Sequence, residues 1–127
     1  MNRRTVSAEE YNEVINAAAR YVEAVRTGNI DMLGEVFHED CVTYGTVDGK
    51  LMGGGKGNPT ADFIKNYGPS TKIVSHIDVL DITPTTAIVR IVSEKDAVDS
   101  DCNDYLSFIK LDTGWTVIAK VFHQFDK

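Results

Sequence analysis

The chain has 127 residues, of which 43% are hydrophobic and 25% charged, and its formal net charge is −6. That length suits one domain, taken as residues 1–127, with a single real core and no need of staples. The composition is that of a folded chain. Its acidic balance repels phosphate backbones, which argues against a nucleic-acid partner. No apolar run approaches the roughly 20 residues of a membrane helix, so no membrane partner is expected.

The opening Met1-Asn2-Arg3-Arg4-Thr5-Val6 is basic but leads into a polar segment, not the apolar core of a signal peptide, and the expected location is cytoplasmic. Ser7-Ala8-Glu9-Glu10 fits a capping box. Tyr11, Val14, Ile15, Ala18, Tyr21, Val22 and Val25 then recur as one stripe at helical period, and Gly28 supplies the stop. Asn29 caps a short second helix carrying Ile30, Leu33, Val36 and Phe37.

From Cys41 to Val47 the residues favour a strand, and Asp48-Gly49 signals a hairpin returning through Lys50-Leu51-Met52. Gly53-Gly54-Gly55-Lys56-Gly57 fails as a phosphate loop: Gly57 stands where Ser or Thr is required, and Lys50 where the first glycine belongs. It reads as a flexible connection. Asn58 and Pro59 start a third helix with Phe63, Ile64 and Tyr67 on its apolar side, ended by Gly68-Pro69.

The rest reads as strands: Lys72 to Ile82, Ala87 to Lys95, and a hairpin of Asn103 to Leu111 with Trp115 to Phe125 across Asp112-Thr113-Gly114. Helices first and then a meander define an α+β fold. Strands such as Ile88-Val89-Arg90-Ile91-Val92 are apolar on both faces. One face packs on the helices and the other needs a cover, for which a second copy is the simplest: a homodimer through the outer sheet face.

Cys41 and Cys102 form no CxxC pair, and His38, His76 and His123 have no metal-ligand spacing. No metal and no cofactor are expected. Both cysteines read as small buried hydrophobes.

The order of elements, with Arg20 to Ile30, Phe37-His38-Glu39-Asp40-Cys41, Asp104 to Lys110 and Trp115 to His123, resembles the nuclear transport factor 2-like superfamily, closest to its lumazine-binding and SnoaL-like branch. The resemblance implies a cone: three N-terminal helices packed on a curved, mainly antiparallel mixed sheet. It also implies a pocket for a small apolar or aromatic ligand, while the superfamily hosts both enzymes and non-catalytic binders.

Among the superfamily's ketosteroid isomerases the site joins a carboxylate base, a tyrosine donor and a protonated aspartic acid. The tyrosine position matches Tyr21 and the aspartic acid matches Asp104, but the base position falls on Gly45. Tyr21 lies in an apolar stripe and Asp104 shares a strand face with Leu106 and Phe108, so the two hydroxyl and carboxyl groups either serve as oxyanion donors or are a core aromatic and a strand-end acid.

His123 shares a face with Trp115, Val117, Ala119 and Val121 by simple alternation, and is either an acid–base group or a histidine satisfied by one hydrogen bond. Tyr21, Asp104 and His123 are the catalytic candidates. Tyr21, Val89, Ile91 and Leu106, with Phe108, Trp115, Val121 and His123, are the expected ligand wall. Asp48 can replace the missing base or simply form its turn; His38 and Asp40 serve the entry to the first strand. The reading places a ligand-binding domain first, with a proton-transfer enzyme of isomerase, cyclase or dehydratase type as its alternative.

Overall fold

The computed structural model describes residues 5–54 and 57–126. The basic opening is therefore outside the described residues up to position 4, as are two residues of the glycine-rich connection. Helix α1 (Ala8–Thr27) begins at the predicted capping box, with Ser7 Oγ accepting from the Glu10 amide and the Glu10 carboxylate accepting from the Ser7 amide. It stops at Gly28, whose φ of 72° is the left-handed conformation glycine tolerates. The stripe buries Val14, Ala18, Tyr21, Ala24 and Val25, whereas Tyr11 and Ile15 lie at its exposed margin.

Helix α2 (Ile30–Val36) is capped by the Asn29 side chain and runs directly into β1 (Phe37–Val47), earlier than the Cys41 start expected. Strand β1 returns as β2 (Lys50–Gly53) with Val47 paired to Lys50. The turn residues Asp48 and Gly49 both have positive φ, 51° and 73°. This is the two-residue type I′ geometry that Asp-Gly favours. Helix α3 (Pro59–Tyr67) follows, its first amides at Thr60 and Ala61 bonded to the Asn58 side chain. Strands β3 (Val74–Ile82), β4 (Thr86–Glu94), β5 (Cys102–Leu111) and β6 (Gly114–Gln124) complete the chain.

The six strands form one sheet in the order β2-β1-β6-β5-β4-β3. All pairs are antiparallel except β1 with β6, so the sheet is mixed and open, with β2 and β3 as edges. The helices pack on one face, and Leu33, Phe37, Val89, Ile91, Leu106, Phe108 and Val117 join the α1 stripe in one buried cluster. This is the expected α+β cone. Among the described residues no helix is long and apolar enough to cross a membrane.

One irregularity decides the site. Phe108 pairs with Val117 but Ser107 pairs with Ala119, leaving Ile118 as an extra residue in β6. Such a bulge shifts alternation by one from that point on. Before it, Trp115 and Val117 face the core; beyond it, Lys120 is buried while Val121 is 56% exposed.

Candidate functional site

Between α1, α3 and the wide end of the sheet lies a chamber of about 810 Å³. That volume suits a drug-sized ligand. Val22, Val25, Phe63, Ile73, Phe122 and Phe125 give it apolar walls, and Tyr21, Thr60, Cys102, Asp104 and Lys120 bring polar groups to it. The β1–β2 hairpin adds Asp48 and Met52, and the loop before β5 adds Asp96 and Ser100.

Tyr21 reaches the chamber because its helix turns that stripe inward, and Asp104 because two-residue alternation along β5 keeps it on the face of Leu106 and Phe108. The Tyr21 hydroxyl donates to Asp104 Oδ2 at 2.9 Å. Lys120 Nζ donates to the Tyr21 hydroxyl and to Thr60 Oγ1, each at 2.9 Å, and stands 3.4 Å from Asp104 Oδ1. The Cys102 thiol donates to the same Oδ1 at 3.7 Å. Tyr21 and Asp104 are 5% exposed and Lys120 7%. A buried charge pair needs such bonds to offset its desolvation.

The electrostatics follow from this packing. Burial disfavours the Lys120 ammonium, but the charge of Asp104 and the contact with Tyr21 outweigh it and hold the group above the ordinary lysine range. Burial, helped by Asp104, pushes the Tyr21 phenol and the Cys102 thiol well up, against the opposing pull of Lys120. Lys120 is therefore a fixed cation and Tyr21 a neutral donor. Asp104 accepts from three sides, so it is an acceptor in this arrangement and not the donor that the isomerase resemblance implied.

The remaining expected residues fall elsewhere. Val89, Ile91, Leu106, Phe108 and Trp115 are core-filling side chains in the cluster with the α1 stripe, and none lines the chamber, although Ile91 pairs with Asp104 and Leu106 with Lys120. Alternation put them on the correct face, but core packing with the helices fills that face at these positions. Val121 and His123 sit on the opposite face because Ile118 breaks the alternation. His123 Nδ1 meets Thr46 Oγ1 at 2.9 Å, and its ring packs edge-on against Phe125. His38 Nδ1 accepts from the Asp40 amide within β1.

Gly45 carries no base, and its space is taken: a Cβ there would penetrate the Phe122 ring. Asp48 does line the chamber from its turn. Sequence reasoning missed Lys120 and Thr60. Lys120 lies between Ala119 and Val121, where regular alternation sends it outward. The one available signal was that Trp115, Val117 and Phe122 cannot all be inward without an extra residue between them.

A helical cap on a curved, open six-stranded sheet with a polar cluster in its wide mouth defines a nuclear transport factor 2-like protein. The family model described as "Putative lumazine-binding" matches residues 9–123, and the chain belongs to that family. It is 38% identical over 122 residues to a protein of Cladobotryum sp named aldolase FrzH, covering 96% of this chain and 97% of that one. Among solved structures it resembles an NTF2-like protein of unknown function from Methylobacillus flagellatus KT, with 28% identity, a TM-score of 0.88, and 96% and 97% of the two chains covered. A second, from Shewanella baltica OS155, has 25% identity and a TM-score of 0.85, with 98% and 100% covered.

Proposed function

We propose that this chain is an enzyme that acts on a carbonyl-bearing, largely apolar small molecule through an enolate, in an aldol-type step that makes or breaks the carbon–carbon bond next to the carbonyl. The observation that carries the reading is the buried cluster of Tyr21, Asp104 and Lys120 at the chamber wall. The relative named an aldolase supports the reaction class.

In the addition direction Asp104 removes the proton α to the carbonyl and the negative charge moves to the substrate oxygen. Once protonated, Asp104 no longer needs the Tyr21 proton, and that hydroxyl turns to the enolate oxygen with the Lys120 cation behind it. The enolate carbon then attacks a second carbonyl, and the alkoxide formed takes back the proton from Asp104. Lys120 serves by charge; as an ion-paired ammonium it is a poor nucleophile.

The test is deuterium uptake at the α-carbon of simple ketones in heavy water, together with cleavage of β-hydroxy ketones. Asp104→Asn is expected to lower either rate by about a hundredfold or more while ligand affinity changes little. Saturable binding of such ketones by the wild type with no exchange and no cleavage would leave the second reading, a binding domain. That second reading is favoured by the Phe122 ring, which fills the position where the isomerase resemblance places a base.

The acting unit proposed is a homodimer through the outer sheet face. Tyr44, Val121 and Tyr105 are paired across β1, β6 and β5, and with Ile88 and Val92 they leave an apolar surface exposed on one chain. A cytoplasmic location is part of the proposal; the two free thiols, Cys41 and Cys102, suit a reducing compartment.

A further inference from the structure

A count of protons in the cluster separates groups that are occupied from one that is not. An ammonium has three donors, and those of Lys120 go to Tyr21, to Thr60 and towards Asp104 Oδ1. The single Tyr21 proton goes to Asp104 Oδ2. Thr60 Oγ1 accepts from Lys120, but its own proton meets no acceptor among the described residues. Yet Thr60 is 6% exposed and lines the chamber. A buried hydroxyl proton without an acceptor is costly, and such groups are rare unless water or a ligand completes them.

We infer that the Thr60 hydroxyl is a catalytic residue that donates to the substrate's carbonyl oxygen. The inference rests on the enolate reading above and adds to it a donor, among the described groups of the cluster, that is free before any proton moves. Acceptance from the Lys120 ammonium polarises the hydroxyl and makes it a stronger donor. Its place in the first turn of α3 puts the positive end of a helix beside the same oxygen, although the amides of Thr60 and Ala61 are themselves bonded to Asn58. Tyr21 would join as a second donor only after Asp104 takes the α-proton. A valine at this position fits by shape and lacks the donor; a serine keeps it.

The experiment uses 4-nitrophenolate as an oxyanion probe at pH 8, with binding followed by its visible absorbance, in the wild type and in Thr60→Val, Thr60→Ser and Thr60→Cys. Loss of the donor in Thr60→Val is expected to weaken binding about tenfold, with Thr60→Ser within about twofold of wild type. Should Thr60→Val fail to fold, Thr60→Cys, with its weaker donor, is expected to bind less tightly than Thr60→Ser. Equal affinity of the wild type and the valine variant, equal affinity of the cysteine and serine variants, or no binding by the wild type would each overturn the inference. Anion binding needs no turnover, so failure of the aldol-type reading would appear separately, as absent α-deuterium exchange in the wild type.

Discussion

The Phe122 ring lies over Gly45, occupying the volume that any side chain at position 45 would need. The same ring stands 5.1 Å from Lys120 Nζ, so the contact that bars a side chain at 45 also flanks the buried cation. Gly45→Ala is expected to cost about 1–3 kcal/mol through overpacking. In a Phe122→Ala background the same change should cost much less. A double-mutant cycle by urea denaturation reads the coupling, and additive costs would refute the contact.

Removing the cation leaves Asp104 as an uncompensated buried charge. Lys120→Met is expected to lose about 3–5 kcal/mol of stability, and adding Asp104→Asn should restore part of it. The measurement is the urea midpoint and slope of the single and double variants. A Lys120→Met chain as stable as the wild type would contradict the ion pair. Borohydride reduction of the wild type with a bound ketone is expected to leave its mass unchanged, because a protonated, fully bonded Lys120 offers no lone pair for an imine.

Stability should fall under alkaline conditions. The Cys102, Tyr21 and Lys120 groups are all held above their ordinary values in the fold. On unfolding each returns to its ordinary value, about 8.5 for a thiol and about 10 for tyrosine and lysine. Above those values the unfolded chain binds fewer protons than the folded one, so the stabilisation present at lower pH is lost as pH rises. The slope reaches at most about 1.4 kcal/mol per pH unit for each group. Unfolding free energies between pH 7 and 10.5 test this. Cys102→Ser should remove part of the decline that begins near the ordinary thiol value, with the half-buried Cys41, which burial also raises, keeping the rest.

On the outer sheet face, Val121 sits between its cross-strand neighbours Tyr44 and Tyr105. A charge at the centre of an apolar interface is costly to desolvate. For the proposed dimer, Val121→Glu is expected to give monomers in sedimentation equilibrium while leaving the circular dichroism spectrum unchanged. A wild type that is monomeric at every concentration would remove the dimer.

Local chemistry made most of the fold legible. The capping box at Ser7, the Gly28 stop, the Asp48-Gly49 turn and the Asn58-Pro59 start each act within a few residues, and the structure uses all four. Tyr21 and Asp104 are brought together by the isomerase resemblance, and helical and strand periods place each on an inward face, because both elements are regular up to those residues. Lys120 could not be placed this way. Its direction depends on Ile118, a single unpaired residue that regular alternation does not anticipate. The misplaced ligand wall has a different origin: alternation identifies the face of Val89, Ile91, Leu106 and Phe108 but carries no information on how closely α1 approaches it. The depth of a cone is a tertiary quantity.

Because of Ile118, one continuous strand fills the hydrophobic apex with Trp115 and Val117 and then furnishes the chamber with Lys120 and Phe122. The identity of the reactive side chains is thus held by a count of residues as much as by their types. Losing Ile118 would leave a regular strand on which Trp115, Val117, Lys120 and Phe122 still alternate inward, whereas closing the bulge at constant length would exchange Lys120 and Phe122 for Val121 and His123. A fold built this way can acquire a different set of chamber groups through a change in strand register alone.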